Sequence, residues 1–230
     1  MLLRYLVVVA VAVAVDGASS SSSAGGGVRC GGVVVVVDVA VGDSALGENS
    51  TGYANIAIGH SALKNNTGRY NIAVGGMNMW GAGGHSGCCN TASGAYALVA
   101  NISGSHNTAT GALALKSNNT GCYNTGTGFC ALAKNTTAVG NTAHGSNALC
   151  ANTTGAYNTA SGYAASRANT TGLGNTSTGY GALSSTSTGG CNTAFGAFAA
   201  SLCHLINGGI TAVGYAAAEN TCASSIVAVG

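Results

Sequence analysis

The blocks NTATGALALKSNNTGCY (107–123), NTGTGFCALAKNTTAVG (124–140), NTAHGSNALCANTTGAY (141–157) and NTASGYAASRANTTGLG (158–174) follow one another without a gap. Each has 17 residues and opens on Asn-Thr, so Asn107, Asn124, Asn141, Asn158 and Asn175 share one phase. A fixed short period marks a solenoid, whose units bury their apolar sides only against their neighbours. The same phase extends outward to starts at Asp38, Asn55, Asn71, Asn90, Asn192, Ile210 and Ile226, which makes about twelve rungs. Spacing is mostly 17, with one rung of 19 after Asn71 that carries MNMWGAGGHSGCC and the only Trp, Trp80. An insertion in one rung is expected to protrude as a loop.

Read as N-T-A-x-G-x-x-A-L-x-x-N-T-T-G-x-Y, the unit suggests two short parallel strands, one at Thr-Ala-x and one at Ala-Leu, with N-T-T-G as the turn. Neighbouring side chains of a strand point to opposite faces, so the third-position Ala column faces away from positions two and four. Leu63, Leu98, Leu115, Leu132, Leu149 and Leu183 form a ninth-position ladder assigned to the core, and the first-position Asn column is read as an amide ladder at a corner. The fifth-position glycines mark a bend that needs positive φ. The fold class is therefore all-β, a parallel β-solenoid in the form of a narrow β-roll.

Composition agrees. Among 230 residues there are 38 Gly, no Pro and 5% charged side chains, against the usual ~25%. A core of small residues stacked rung on rung suits this composition; a Leu/Phe core does not. Net charge is +2, and Lys64, Arg69, Lys116, Lys134 and Arg167 are scattered, which speaks against nucleic acid or an anionic membrane as partner. The nine Cys contain no CxxC. Cys203 and Cys222 fall at neighbouring positions of successive rungs, ~4.8 Å apart, which suits a disulfide.

Residues 1–24 read as an export signal or a low-complexity start: Arg4, then an apolar run from Leu6 to Val15, shorter than a membrane span. Residues 25–37 are a linker followed by the capping strand GGVVVVV, and 38–230 are the repetitive roll, read as truncated at its C-terminal end. Membrane attachment would need an anchor outside this stretch.

The second and fourth positions vary most informatively. They are apolar toward the ends (Val39/Val41, Ile56/Ile58, Ile72/Val74, Val227/Val229) and Thr108/Thr110, Thr125/Thr127 and Thr176/Thr178 in between. The apolar ends favour burial of this face, in the roll or between chains; a solvent-facing Thr array stays open. Trp80, Phe129, Tyr163 and Tyr180 are candidate aromatic contacts, the last three in one phase.

The unit Asn55-Ile-Ala-Ile-Gly59-His-Ser-Ala62 and its in-phase copies resemble the head repeats of trimeric autotransporter adhesins of the YadA type. They are also similar to N-T-A-x-G-x-x-A-L repeats of tail-fibre-like proteins. The resemblance implies a left-handed β-roll, a homotrimer, and a secreted or cell-surface protein that binds a protein or glycan surface.

Candidate chemistry is sparse. Asp38, Asp43 and Glu48 gather near the first rung as an acidic end, while His60, His85, His106, His144 and His204 fall in different phases. No catalytic residue, metal ligand or cofactor site is nominated, and residues 81–87 are a Gly-rich loop without the Lys of a phosphate loop. Asn-x-Ser/Thr recurs at Asn49, Asn65, Asn101, Asn118, Asn135, Asn152, Asn169 and Asn175, chiefly as a by-product of the N-T-T-G turn. The expected function is non-enzymatic adhesion or structure through a repetitive face. The alternatives are an ice- or crystal-binding solenoid using the Thr ladder, interrupted by His144 and Phe195, and a carbohydrate-active β-solenoid enzyme.

Overall fold

A computed structural model describes residues 9–15, 29–30, 33–81, 84–201, 208–220 and 225–230. The described chain is a parallel β-solenoid with no helix among these residues. Strands β1 (Val9–Val15) and β2 (Arg29–Cys30) pair antiparallel with β3 (Val33–Val41). The C-terminal part of β3 opens the array, with Val39 beside Ile56 and Val41 beside Ile58. One three-residue strand then comes from each rung: β4 (Ile56–Ile58), β5 (Ile72–Val74), β6 (Thr91–Ser93), β7 (Thr108–Thr110), β8 (Thr125–Thr127), β9 (Thr142–His144), β10 (Thr159–Ser161), β11 (Thr176–Thr178), β12 (Thr193–Phe195), β13 (Thr211–Val213) and β14 (Val227–Val229). Each pairs with the next in strict register, as in Thr108 beside Thr125 and Thr125 beside Thr142. Residues 33–37 of the expected capping strand are thus the start of a longer strand that runs into the first rung.

The second strand expected at Ala-Leu does not form. The seventh and ninth residues of most rungs are left-handed, as at Cys130 (φ 56) and Leu132 (φ 53), and such alternation cannot make an extended strand. The segment still pairs with its neighbours: the Leu115 N–H donates to the Ala131 carbonyl at 2.9 Å and that of Leu132 to Ala148 at 3.0 Å. A left-handed L-residue costs roughly 1–2 kcal/mol. These rung-to-rung bonds, together with burial of the Leu side chain at roughly 1.5–3 kcal/mol, offset that cost. The bend glycine is a stricter case. Gly128 sits at φ +129, and a Cβ there would lie 2.6 Å from the Gly145 carbonyl carbon.

The core is the Ala column and the Leu ladder. Ala57, Ala73, Ala92, Ala109, Ala143 and Ala160 are fully buried, as are Leu63, Leu98, Leu115, Leu132, Leu149 and Leu183. The ninth position turns polar at Ser166, where the neighbouring Ala column carries Ser177, while Met79, Ala200 and Ala218 replace Leu with other apolar residues. The Ser166 hydroxyl donates to Ser177 Oγ at 2.9 Å in the buried interior, so the two departures satisfy each other.

The first-position Asn column is an amide ladder. Asn124 Oδ1 accepts from the backbone N–H of Asn141 at 3.0 Å and from its Nδ2 at 3.2 Å, while Asn124 Nδ2 donates to the Ala138 carbonyl at 2.7 Å. A second ladder, unforeseen, runs through the twelfth position. Asn118 Nδ2 donates to Asn101 Oδ1 at 2.9 Å, Asn135 to Asn118 at 2.8 Å and Asn152 to Asn135 at 2.9 Å, all buried. Six of the eight Asn-x-Ser/Thr asparagines, Asn101, Asn118, Asn135, Asn152, Asn169 and Asn175, are buried, which closes the glycan-acceptor reading for them.

Replacing Asn124 by Ala strands the backbone N–H and one Nδ2 hydrogen of Asn141 and leaves the Ala138 carbonyl only the longer bond from Asn135 at 3.4 Å, at roughly 1–3 kcal/mol per stranded group. We expect chemical denaturation to show Asn124→Ala losing about 3 kcal/mol or more, while the neighbouring Thr125→Ala stays within about 0.5 kcal/mol of the parent. At the core break, Ser166→Leu with Ser177→Ala is expected to gain about 1–2 kcal/mol from new apolar burial. Ser177→Ala alone should be destabilising, because it strands the Ser166 hydroxyl.

Candidate binding face

The strand face points to solvent. In β4, β5, β7 and β12 the central residue is buried and both flanking residues are exposed, and the other short strands keep the same alternation with partial exposure. Thr108, Thr110 and Thr176 are exposed and Thr125, Thr127 and Thr178 half-exposed. Burial of this face inside the roll is therefore corrected: within one chain it lies on the outer surface. The interior is filled by Ala at position three and Leu at position nine, which leaves no room on the inner side for a second row. The apolar ends lie on the same outer surface: Ile56, Ile58, Ile72, Val74 and Val213 are exposed, and Val227 and Val229 more so, at 77% and 80%.

Register makes the face a lattice. Position two is Thr in eight consecutive strands, from Thr91 through Thr108, Thr125, Thr142, Thr159, Thr176 and Thr193 to Thr211. Position four is more mixed, reading Ser93, Thr110, Thr127, His144, Ser161, Thr178, Phe195 and Val213. Neighbouring rungs lie ~4.8 Å apart and positions two and four ~6.6 Å apart along a strand. No Lys, Arg, Asp or Glu occupies either position.

A different Thr column shows what a structural Thr does in this fold. Thr136 Oγ1 donates to the Thr153 carbonyl at 3.0 Å, Thr153 to Thr170 at 3.0 Å and Thr170 to Ser187 at 2.9 Å, so these hydroxyls are turned into the rod. Among the described residues, the strand-face Thr hydroxyls enter no such side-chain bond.

The aromatic candidates separate. Tyr163 and Tyr180 stack at 5.3 Å with 12° between their planes. The run continues edge-on to Phe198 at 5.1 Å and from Phe198 to Tyr215 at 6.3 Å. Phe198 and Tyr215 were missed because Phe198 sits one position out of phase. Stacked rings cover each other's faces and present edges, which is unfavourable for a sugar that needs an open ring face. Phe129 is exposed, with Ser146 rather than a ring at its position in the next rung. Trp80 stands elsewhere, half-buried beside a shallow apolar cleft of ≈ 400 Å³ with Val99, Ala100 and Ile102.

The acidic end does not converge. The Asp38 carboxylate accepts from Asn49 Nδ2 at 2.8 Å and from the Asn55 N–H at 2.7 Å, so it begins the first amide ladder. Asp43 lies 3.5 Å from His60, and Glu48 lies 3.6 Å from Lys64. Among the described residues no three His, Cys, Asp or Glu gather as a metal site. Cys88, Cys89, Cys122, Cys130, Cys150 and Cys191 are free thiols; Cys203 and Cys222 lie outside the described residues.

His85, in the long rung, lies inside the array. It is fully buried and bridges to Asn66, so the long rung rejoins the array and puts an imidazole in the second Asn ladder. The Gly87 N–H donates to its Nδ1 at 3.1 Å, and Asn101 Nδ2 lies 3.4 Å from its Nε2. Nδ1 therefore accepts, the neutral ring carries its one hydrogen on Nε2, and a second proton on Nδ1 would face the Gly87 N–H. Burial lowers the His85 pKa from 6.5 to about 4.

Comparison with protein-family models, with curated proteins and with solved structures gives no match. What the surface does has to be read from this chain's own residues.

Because the folded pKa of His85 is depressed, the unfolded chain binds the extra proton first as pH falls. Stability is complete above pH 6.5 and declines toward pH 4, by up to about 3 kcal/mol. Denaturation across that window should show the decline in the parent chain. In His85→Asn, which supplies the residue that the ladder uses elsewhere, most of it should vanish.

Proposed function

We propose that the protein is a non-enzymatic, extracellular or cell-surface rod that binds an extended partner through its outward strand face. The observation that carries this reading is the solvent exposure of positions two and four in register along the array. A regular, uncharged face offers many weak contacts at once, so avidity takes the place of a deep pocket. The resemblance to adhesin head repeats supports the adhesive or structural role and a protein or glycan surface as partner. It also supports a homotrimer as a competing use of the same face. A non-enzymatic role is supported by Asp38, Asp43 and Glu48, each of which is engaged with a different neighbour.

Binding of the full chain to immobilised collagen or glycans should be lost in a Thr108→Lys, Thr125→Lys double variant and kept in Tyr163→Ala. Retention in the double variant would overturn the assignment of the face. Light scattering separates the two uses: a monomer leaves the face open to a partner, whereas a trimer broken by Thr125→Lys would assign it to self-association.

A further inference from the structure

The second position of the strand face is chemically narrow. It carries Thr hydroxyls and methyls, the fourth position adds His144 and Phe195, neither holds Lys, Arg, Asp or Glu, and the repeat is fixed at ~4.8 Å by ~6.6 Å. Its rigidity has a cause, since buried amide ladders and the Ala/Leu core tie each rung to the next. The unbroken Thr column spans eight strands, ~34 Å at that spacing. Among the described residues its hydroxyls make no side-chain hydrogen bond, whereas those of Thr136, Thr153 and Thr170 donate to the carbonyl of the next rung.

The chemistry of the face discriminates among ordered partners. A mineral lattice is recognised through charged side chains, and positions two and four carry none of these. A crystalline polysaccharide is recognised through a row of open aromatic ring faces, and among Phe, Tyr and Trp the strand face carries Phe195 alone. Ice is the ordered surface built only from neutral hydrogen-bond donors and acceptors at fixed spacing. A rigid hydroxyl array can hold water in a matching arrangement, while the Thr methyls lie against the gaps between water molecules.

We propose that the Thr column Thr91–Thr211 is an ice-binding face. The inference rests on the reading that the strand face is the binding surface, and it names the partner. His144 and Phe195 interrupt only the fourth-position column, so contact runs along the second. The exposed Ile and Val rungs at either end extend the face as apolar surface without charge.

The test is thermal hysteresis and partition into a growing ice hemisphere, measured on the full chain at micromolar concentration. The parent is expected to show hysteresis, faceted crystals and enrichment in the ice. Thr125→Lys with Thr159→Lys should lower hysteresis to less than half while leaving the circular dichroism melt unchanged, because a bulky cation breaks the lattice at two half-exposed or exposed positions. Tyr180→Ala, off the face, should leave hysteresis as in the parent. Absence of hysteresis and of ice enrichment, with the chain still retained on immobilised glycan or collagen through the same Thr residues, would overturn ice as the partner and leave the face assignment standing. Loss of both would overturn the face assignment as well.

Discussion

The structure depends on the buried side-chain amide of asparagine, used as a rung-to-rung connector. In a thin solenoid the backbone must turn sharply several times within 17 residues, and each turn leaves N–H and C=O groups that no strand ladder reaches. An Asn side chain offers one acceptor oxygen and two donor hydrogens, enough to serve the next rung and its own turn together. Asn124 does so, accepting twice from Asn141 and donating to Ala138. Where an amide is missing the ladder shows a defect. Thr186 follows Asn169 in the second column, and Asn169 Oδ1 and Thr186 Oγ1 are both buried without a partner.

With polar satisfaction handled by these columns, the apolar part of the fold can be small. Ala at position three and Leu at position nine fill the interior, and one short strand per rung is sufficient because its centre alone faces inward. Stability in such an array is carried between neighbours rather than by a global core. Local irregularities therefore stay local. The Ser166–Ser177 pair interrupts the apolar core without disturbing strand register on either side. His85 likewise occupies an Asn site in a longer rung while β5 and β6 remain paired.

Much of this is legible in the residues. The period placed the short strands β4 to β14, the Leu ladder and the Ala column identified the core, and the first Asn column was recognisable as a ladder; β1 and β2, outside the period, were not foreseen. The second strand was misread because Ala-Leu lies between the bend glycine and the N-T-T-G turn, as a short strand would, and nothing in composition announces that Leu132 sits at φ 53. The second Asn ladder was hidden inside N-T-T-G, which also spells a turn and a glycan acceptor. Burial distinguishes these, and burial follows from how rungs stack. The facing of the Thr columns was undecidable from alternation alone, since alternation separates two faces without saying which is inside. Ala against Thr or Ile at adjacent positions decides it only once the width of the interior is known.

The central claim is that buried amides hold a rod whose strand-face Thr residues are free. Paramagnetic relaxation of Thr methyl resonances by a soluble, neutral gadolinium chelate measures this on the intact chain. The account predicts strong broadening for Thr108, Thr110 and Thr176, and weak broadening for the methyls of the buried Ala109, Ala143 and Ala160. Protection of Thr108 and Thr110 to the level of Ala109 would contradict it.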